Sequence, residues 1–145
     1  MIYLAGSCSS EQRTIMQNVA DILTELGNKV YCPFNLKIEN AWDYSQEDWS
    51  QLVFEKDLEM LDKADIVVLI SPGRVSTAGT NWEQGYAYAK NKKVIVIQYT
   101  NESTSLMTYC GSTIFVNSTL EDLEKDLINA LNDHYTKCKC TTILT

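Results

Sequence analysis

The sequence predicts a single α/β domain, a flavodoxin-like or Rossmann-like sandwich on a five-stranded parallel sheet. Three observations carry that prediction. Short Val/Ile-rich runs alternate with segments of helical period, the order expected when helices cross over between parallel strands. The runs themselves, DIVVLI at 65–70 and KVIVIQY at 93–99 above all, are continuously apolar, as strands covered on both faces must be. At 145 residues the chain is long enough to bury one core of this kind.

IYLAG (2–6) reads as a short buried strand. Ser9 or Ser10 can cap the helix that follows, in which Ile15, Met16, Val19, Ile22, Leu23 and Leu26 recur at helical spacing until Gly27 ends it. KVYCP (29–33) is the second strand, stopped by Pro33. FNLKIENAWDYSQED is polar and aromatic without a clean period and too long for a plain connector, which marks it as a functional loop. A second helix runs from about Trp49 to Ala64 and leads directly into DIVVLI.

SPGRVSTAGT is turn-rich; after it a short helix spans about Asn81 to Asn91 and precedes KVIVIQY. Residues 100–112 form a loop and TIFV (113–116) a last strand, after which Ser118 and Glu121 mark the start of a terminal helix through about Asn132. The domain is assigned to residues 1–134, with 135–145 as a flexible tail, and no repeat, linker or low-complexity block interrupts it. In such a sheet ligands lie beyond the carboxyl ends of the strands where the order reverses, so the loops after residues 5, 33, 70 and 99 should converge.

Composition narrows the function. The net charge of −7, with twelve Lys and Arg spread along the chain, argues against a nucleic-acid partner, but a helix start can still hold a small anion. No apolar run approaches membrane-spanning length and no basic leader precedes the first strand, so a cytoplasmic protein without membrane association is expected. The five cysteines, Cys8, Cys32, Cys110, Cys138 and Cys140, are odd in number and lack a CxxC pair, the pattern of reduced thiols rather than a disulfide framework. His134 is the only histidine, which leaves Ser-His and Cys-His nucleophiles poorly supplied and points to carboxylate chemistry.

The first loop, GSCSSEQR, has one glycine where GxGxxG needs three, and nothing matches GxxxxGK[ST]. Its serines, Ser7 among them, could hold a phosphate or a sugar hydroxyl, or simply cap the helix. Asp57 falls near the centre of a stripe formed by Trp49, Val53, Phe54, Leu58, Met60, Leu61 and Ala64. A carboxylate there is costly unless it is paired, hydrogen-bonded or protonated. It is either a structural ion pair or backbone ligand, or a group facing a pocket with a raised pKa. Glu83 has two readings as well. Thr80-Asn81-Trp82-Glu83 fits the [ST]xxE capping box, yet its place after the Gly79 turn, at the ligand-facing edge, suits a nucleophile kept ionised by the helix dipole.

With these residues placed, IYLAG, FEKDLEMLDKADIVVLI, GTNWEQGYAYAKNKKVIVI and the SLM triplet at 105–107 resemble the nucleoside 2-deoxyribosyltransferase superfamily over most of residues 2–107. The resemblance implies an oligomer with shared active sites and cleavage of the N-glycosidic bond of a 2'-deoxynucleoside, with no metal or organic cofactor. Its partners would be a deoxynucleoside or deoxynucleotide and a purine or pyrimidine base. It makes Glu83 the nucleophile, Asp57 the proton handler and Tyr3 the group that orients Glu83. Gly6, Ser7, Thr77, Gly79, Trp82, Ser105 and Met107 become the candidate substrate-binding set, Ser105 reaching the site from a neighbouring subunit. Trp42, Tyr44 and Trp49 either cover the base or pack in the core.

Two positions depart from the transferases: Thr77 stands where an aspartate is common, and Ser105 where an asparagine precedes Leu-Met. In the related 2'-deoxynucleoside 5'-phosphate N-hydrolases, serines at both positions contact the substrate phosphate, so the hydroxyls here point toward a nucleotide. The arginine-glycine pattern of those hydrolases is missing from the first loop, with Arg13 or Arg74 as the candidate substitute. The PGGxGTxxE motif of nucleotide phosphoribohydrolases is broken by the six-position separation of Gly73 in Pro-Gly from Gly79 in Gly-Thr. A non-catalytic nucleotide sensor with the same pocket is the alternative of a different class.

Overall fold

Strand β1 (Ile2–Ala5) is buried throughout, and its side chains alternate between two cores. Ile2 and Leu4 enter one, Tyr3 and Ala5 the other. The computed structural model describes residues 1–74 and 76–135 together with the backbone of 143 and 144. In it β1 pairs in parallel with β2 (Val30–Tyr31) on one side and β3 (Ile66–Ser71) on the other. Strand β4 (Lys93–Gln98) follows β3, and β6 (Ile114–Asn117) closes the sheet in the order β2-β1-β3-β4-β6. All five strands are parallel, as the continuous Val/Ile runs require. The short β5 (Thr104–Ser105) lies outside this sheet and pairs with β7 (Ile143–Leu144). Residues 136–142, with Cys138 and Cys140, are outside the described residues, as is most of the segment read as a flexible tail.

Helices α1 (Ser10–Glu25) and α5 (Leu123–Leu131) cover one face of the sheet, packing Met16, Val19, Leu23, Leu123 and Leu127 on Leu4, Val68, Ile70, Ile95 and Ile97. Each such side chain, fully buried, contributes about 1.5–3 kcal/mol. Helices α2 (Gln46–Lys63) and α3 (Ala78–Ala89) cover the other face, with Leu61, Ala64 and Ala87 on Tyr3, Val67, Leu69 and Val96. This second core is thinner. Leu61 is the buried residue of α2, while Trp49 and Phe54 of the same helix stand exposed. The stripe read from the sequence is therefore only partly covered.

Caps explain where the helices begin. Ser9 accepts from the Gln12 N–H at the start of α1, and the helix ends in a Schellman arrangement with Gly27 at φ 85°. Helix α2 starts three residues earlier than its apolar period indicates, because Ser45 accepts from the Asp48 N–H and donates to the Asp48 carboxylate. Helix α3 also starts earlier: extended Thr77 is its N-cap and accepts from the Thr80 N–H. Thr80 is thus inside the helix and buried, so the capping box proposed for Thr80 and Glu83 does not form. At the start of α5 the Ser118 hydroxyl donates to the Thr119 carbonyl, and Thr119 accepts from the Asp122 N–H, so the Ser118–Glu121 box is absent too.

The segment 34–48 holds 3-10 turns at Pro33–Asn35 and Ala41–Asp43, and 100–112 holds β5 and the one-turn helix α4 (Leu106–Cys110). The loops after β3 and β4 meet as expected: the Thr100 hydroxyl donates to the Pro72 carbonyl at 2.7 Å. Gly73, at φ 97°, is needed there, since a Cβ would lie 2.7 Å from that of Glu102. No described helix is long and apolar enough to cross a membrane.

Candidate active site

Tyr3 and Tyr31 are register partners on β1 and β2, and their rings lie 5.5 Å apart. Both phenols reach toward the α2/α3 side of the sheet, and each finds a carboxylate. The Tyr3 hydroxyl donates to Oε1 of Glu83 on α3 at 2.7 Å. The Tyr31 hydroxyl donates to Oδ1 of Asp57 on α2, also at 2.7 Å. Among the described residues Asp57 is therefore neither in an ion pair nor bound to loop backbone, the two structural readings of its place on the stripe. It faces a cavity of about 250 Å³ between α2 and α3, lined by Phe54, Asp57, Leu58, Leu61, Gly79, Trp82 and Glu83.

Apart from the two carboxyl groups, the lining is apolar. Phe54 meets Trp82 edge-on at 5.5 Å, and Trp82 stacks on Tyr86 at 5.4 Å with 14° between planes. Such walls raise the cost of charge. Burial pushes the Glu83 carboxyl up to about 7, opposed by the Tyr3 hydrogen bond and reinforced by the charge of Asp57. Burial raises Asp57 as well, against the hydrogen bond from Tyr31. Both phenols are raised, chiefly by burial, and so stay protonated donors. Cys8, in the loop after β1, is raised by burial and then by the charges of Glu83 and Asp57, which puts that loop within electrostatic reach of the site.

Chemically this is a pair of interacting carboxyls, both raised by burial and each oriented by one phenol. Such a pair can supply an oxygen nucleophile and a proton in the same cavity. Among the described residues no group of three or more His, Cys, Asp or Glu could hold a metal ion.

Tyr3, Asp57, Gly79, Trp82 and Glu83 are brought together as anticipated. Other candidates do not line the Glu83 cavity. The Thr77 hydroxyl caps α3 and lies 2.7 Å from that of Thr80. Ser7 accepts from the Ser9 N–H, and Gly6 packs against Met16. Ser105 and Met107 line a separate cavity of about 440 Å³ with Asn81, Gln84, Gly85 and Tyr88, along a different side of α3 from Glu83. Trp42, Tyr44 and Trp49 are exposed, which overturns core packing for them, and none lines the Glu83 cavity. Tyr31 was missed by the sequence reading; its signal was the matching second tyrosine, one in IYLAG and one in KVYCP.

Comparison with known proteins identifies the family. The sequence profile of the family described as nucleoside 2-deoxyribosyltransferase matches residues 2–135. Among solved structures, the 2-deoxyribosyltransferase of Bacillus psychrosaccharolyticus is 30% identical, with a TM-score of 0.71 over 85% of this chain and 89% of that one. A conserved protein from Enterococcus faecalis V583 is 20% identical, with a TM-score of 0.58 over 89% and 97%. The CMP N-glycosidase of Clostridium botulinum is 16% identical, with a TM-score of 0.59 over 88% and 97%. At these lower identities the last two likenesses concern the fold alone. No curated protein matches the chain at a significant level. By its matching profile and by its likeness to the Bacillus enzyme, the chain belongs to the nucleoside 2-deoxyribosyltransferase family.

Proposed function

We propose that the protein is a nucleoside 2-deoxyribosyltransferase in which Glu83 attacks the anomeric carbon of a 2'-deoxynucleoside. The observation that carries this reading is the Tyr3–Glu83 hydrogen bond at the edge of a cavity that also holds Asp57. In the first half-reaction the bond from C1' to the base nitrogen breaks and a C1'–O bond to Glu83 forms. The departing base takes a proton from the Asp57 carboxyl. In the second half-reaction another base attacks C1', the ester bond breaks, and the proton of the incoming base returns to Asp57. Two inversions give net retention. Tyr3 donates to one Glu83 oxygen and holds the carboxylate for attack, while Trp82 and Phe54 offer aromatic surface to the base.

A cavity of about 250 Å³ is smaller than a usual small-molecule site. The assembly proposed is a homo-oligomer in which Ser105 and Met107 of one subunit complete the site of another. Exposed Trp49 and Phe54 support that reading, since large apolar groups on one helix favour burial against a partner.

The second reading, hydrolysis of 2'-deoxynucleoside 5'-monophosphates, draws on the hydroxyls of Thr77 and Ser105 in place of an acid and an amide. Both hydroxyls are engaged in helix caps, which weakens it. Chromatography separates the readings: a deoxynucleoside incubated with a second free base, and deoxynucleoside monophosphates in buffer alone, each compared with Glu83→Ala. A swapped nucleoside supports transfer, and free base released chiefly from monophosphates supports hydrolysis. Silence in both supports a binding protein.

A further inference from the structure

We propose that Tyr31 is the positioning residue for Asp57, holding that carboxyl at the cavity as Tyr3 holds Glu83; the inference rests on the transferase reading of the site. Helix α2 is anchored by Leu61 near its C-terminal end, while Val53 and Leu58 are only half-buried and Phe54 is exposed. Packing alone therefore leaves the middle of the helix, where Asp57 sits, loosely held against the sheet. The 2.7 Å bond from the Tyr31 hydroxyl spans that gap and ties one Asp57 oxygen to β2. Tyr31 is itself fixed by its pairing with Tyr3 across the β1–β2 register and by their ring contact. The two phenols thus form one rigid platform that sets the spacing of the two carboxyls. Tyr31 touches no reacting atom in this account, and its effect passes through Asp57.

The groups facing Asp57 are Tyr31 from β2, Tyr3 from β1, Glu83 from α3 and Cys8 from the loop after β1. Of these, Tyr31 donates a hydrogen bond to it. A donor to the carboxylate favours the ionised form, so losing the hydroxyl must raise the Asp57 pKa.

The test is Tyr31→Phe, which keeps the ring, assayed by base exchange across pH and by carbon-detected NMR titration of the Asp57 carboxyl. Expected are a kcat lower by about 10- to 100-fold with little change in KM, and an Asp57 titration moved to higher pH. In an Asp57→Asn background the same substitution should cost nothing further. A drop in melting temperature with unchanged kcat and an unmoved pH profile overturns the proposal, because a mere tether for α2 behaves that way. If the unsubstituted protein exchanges no base, the transferase reading fails, and the NMR titration still judges the hold of Tyr31 on Asp57: an unmoved Asp57 overturns it. Should the phenylalanine variant not fold, 3-fluorotyrosine at position 31 keeps the shape and strengthens the donor. The Asp57 titration must then move to lower pH, and no movement overturns the proposal.

Discussion

The Tyr3 hydroxyl donates a 2.7 Å hydrogen bond to Glu83 across 80 positions of sequence, from the central region of the sheet to the second turn of α3. That bond opposes the burial that lifts the Glu83 carboxyl to about 7. An attacking carboxylate must be ionised, so exchange activity should fall as pH drops through about 7. In Tyr3→Phe the opposing bond is gone, the Glu83 pKa rises further, and the acidic limb of kcat/KM moves to higher pH. A pH–rate profile of both proteins checks the shift; an unmoved limb would detach Tyr3 from Glu83.

Burying an ionised glutamate should also destabilise the fold. The folded-state pKa of Glu83 lies above its ordinary value, so the native state binds the extra proton between about 4.5 and 7. Stability is then greatest below that window and is lost as pH rises through it. Glu83→Gln keeps an acceptor for Tyr3 without the charge, and should stabilise the protein at pH 8 by about 1–3 kcal/mol while changing little at pH 4.5. Thermal melts at the two pH values read this directly, and equal effects at both would contradict the assigned cause.

Thr77 is a helix cap in this structure. Thr77→Ala should cost about 1 kcal/mol of stability, and Thr77→Ser should restore most of it. Denaturant titration of the three proteins measures this. If Thr77→Ala leaves stability intact but selectively raises KM for a monophosphate over its nucleoside, the hydroxyl belongs to the substrate instead.

Trp49 is exposed on the weakly covered face of α2. Trp49→Glu should shift the mass measured by light scattering toward the monomer and lower exchange activity together, because Ser105 and Met107 lie away from the Glu83 cavity within one protomer. Dissociation with full activity would show that one subunit suffices.

The sheet was legible because continuous runs such as DIVVLI admit few other environments, and the helices because Met16, Val19 and Leu23 keep helical spacing. Glu83, Asp57 and Tyr3 could be picked out as an acid following a glycine turn at the ligand-facing edge, an acid on an apolar stripe, and a residue matched through family resemblance. The caps were harder. Thr77 and Thr80 both precede a plausible first turn, and only the backbone, extended at Thr77, decides between them. Tyr31 escaped notice since its meaning depends on β1–β2 register, a non-local relation that periodicity does not encode. The separation of Ser105 from Glu83 likewise depends on which side of α3 each loop reaches.

The most direct test of the account is mass spectrometry of the Glu83 peptide after rapid acid quenching of the protein with a deoxynucleoside and no acceptor base. The account predicts one deoxyribosyl unit esterified to Glu83, discharged on adding a free base and absent from Glu83→Ala, which should also have lost base exchange. Rapid exchange with Glu83 unmodified throughout, or near-normal exchange by Glu83→Ala, would contradict it.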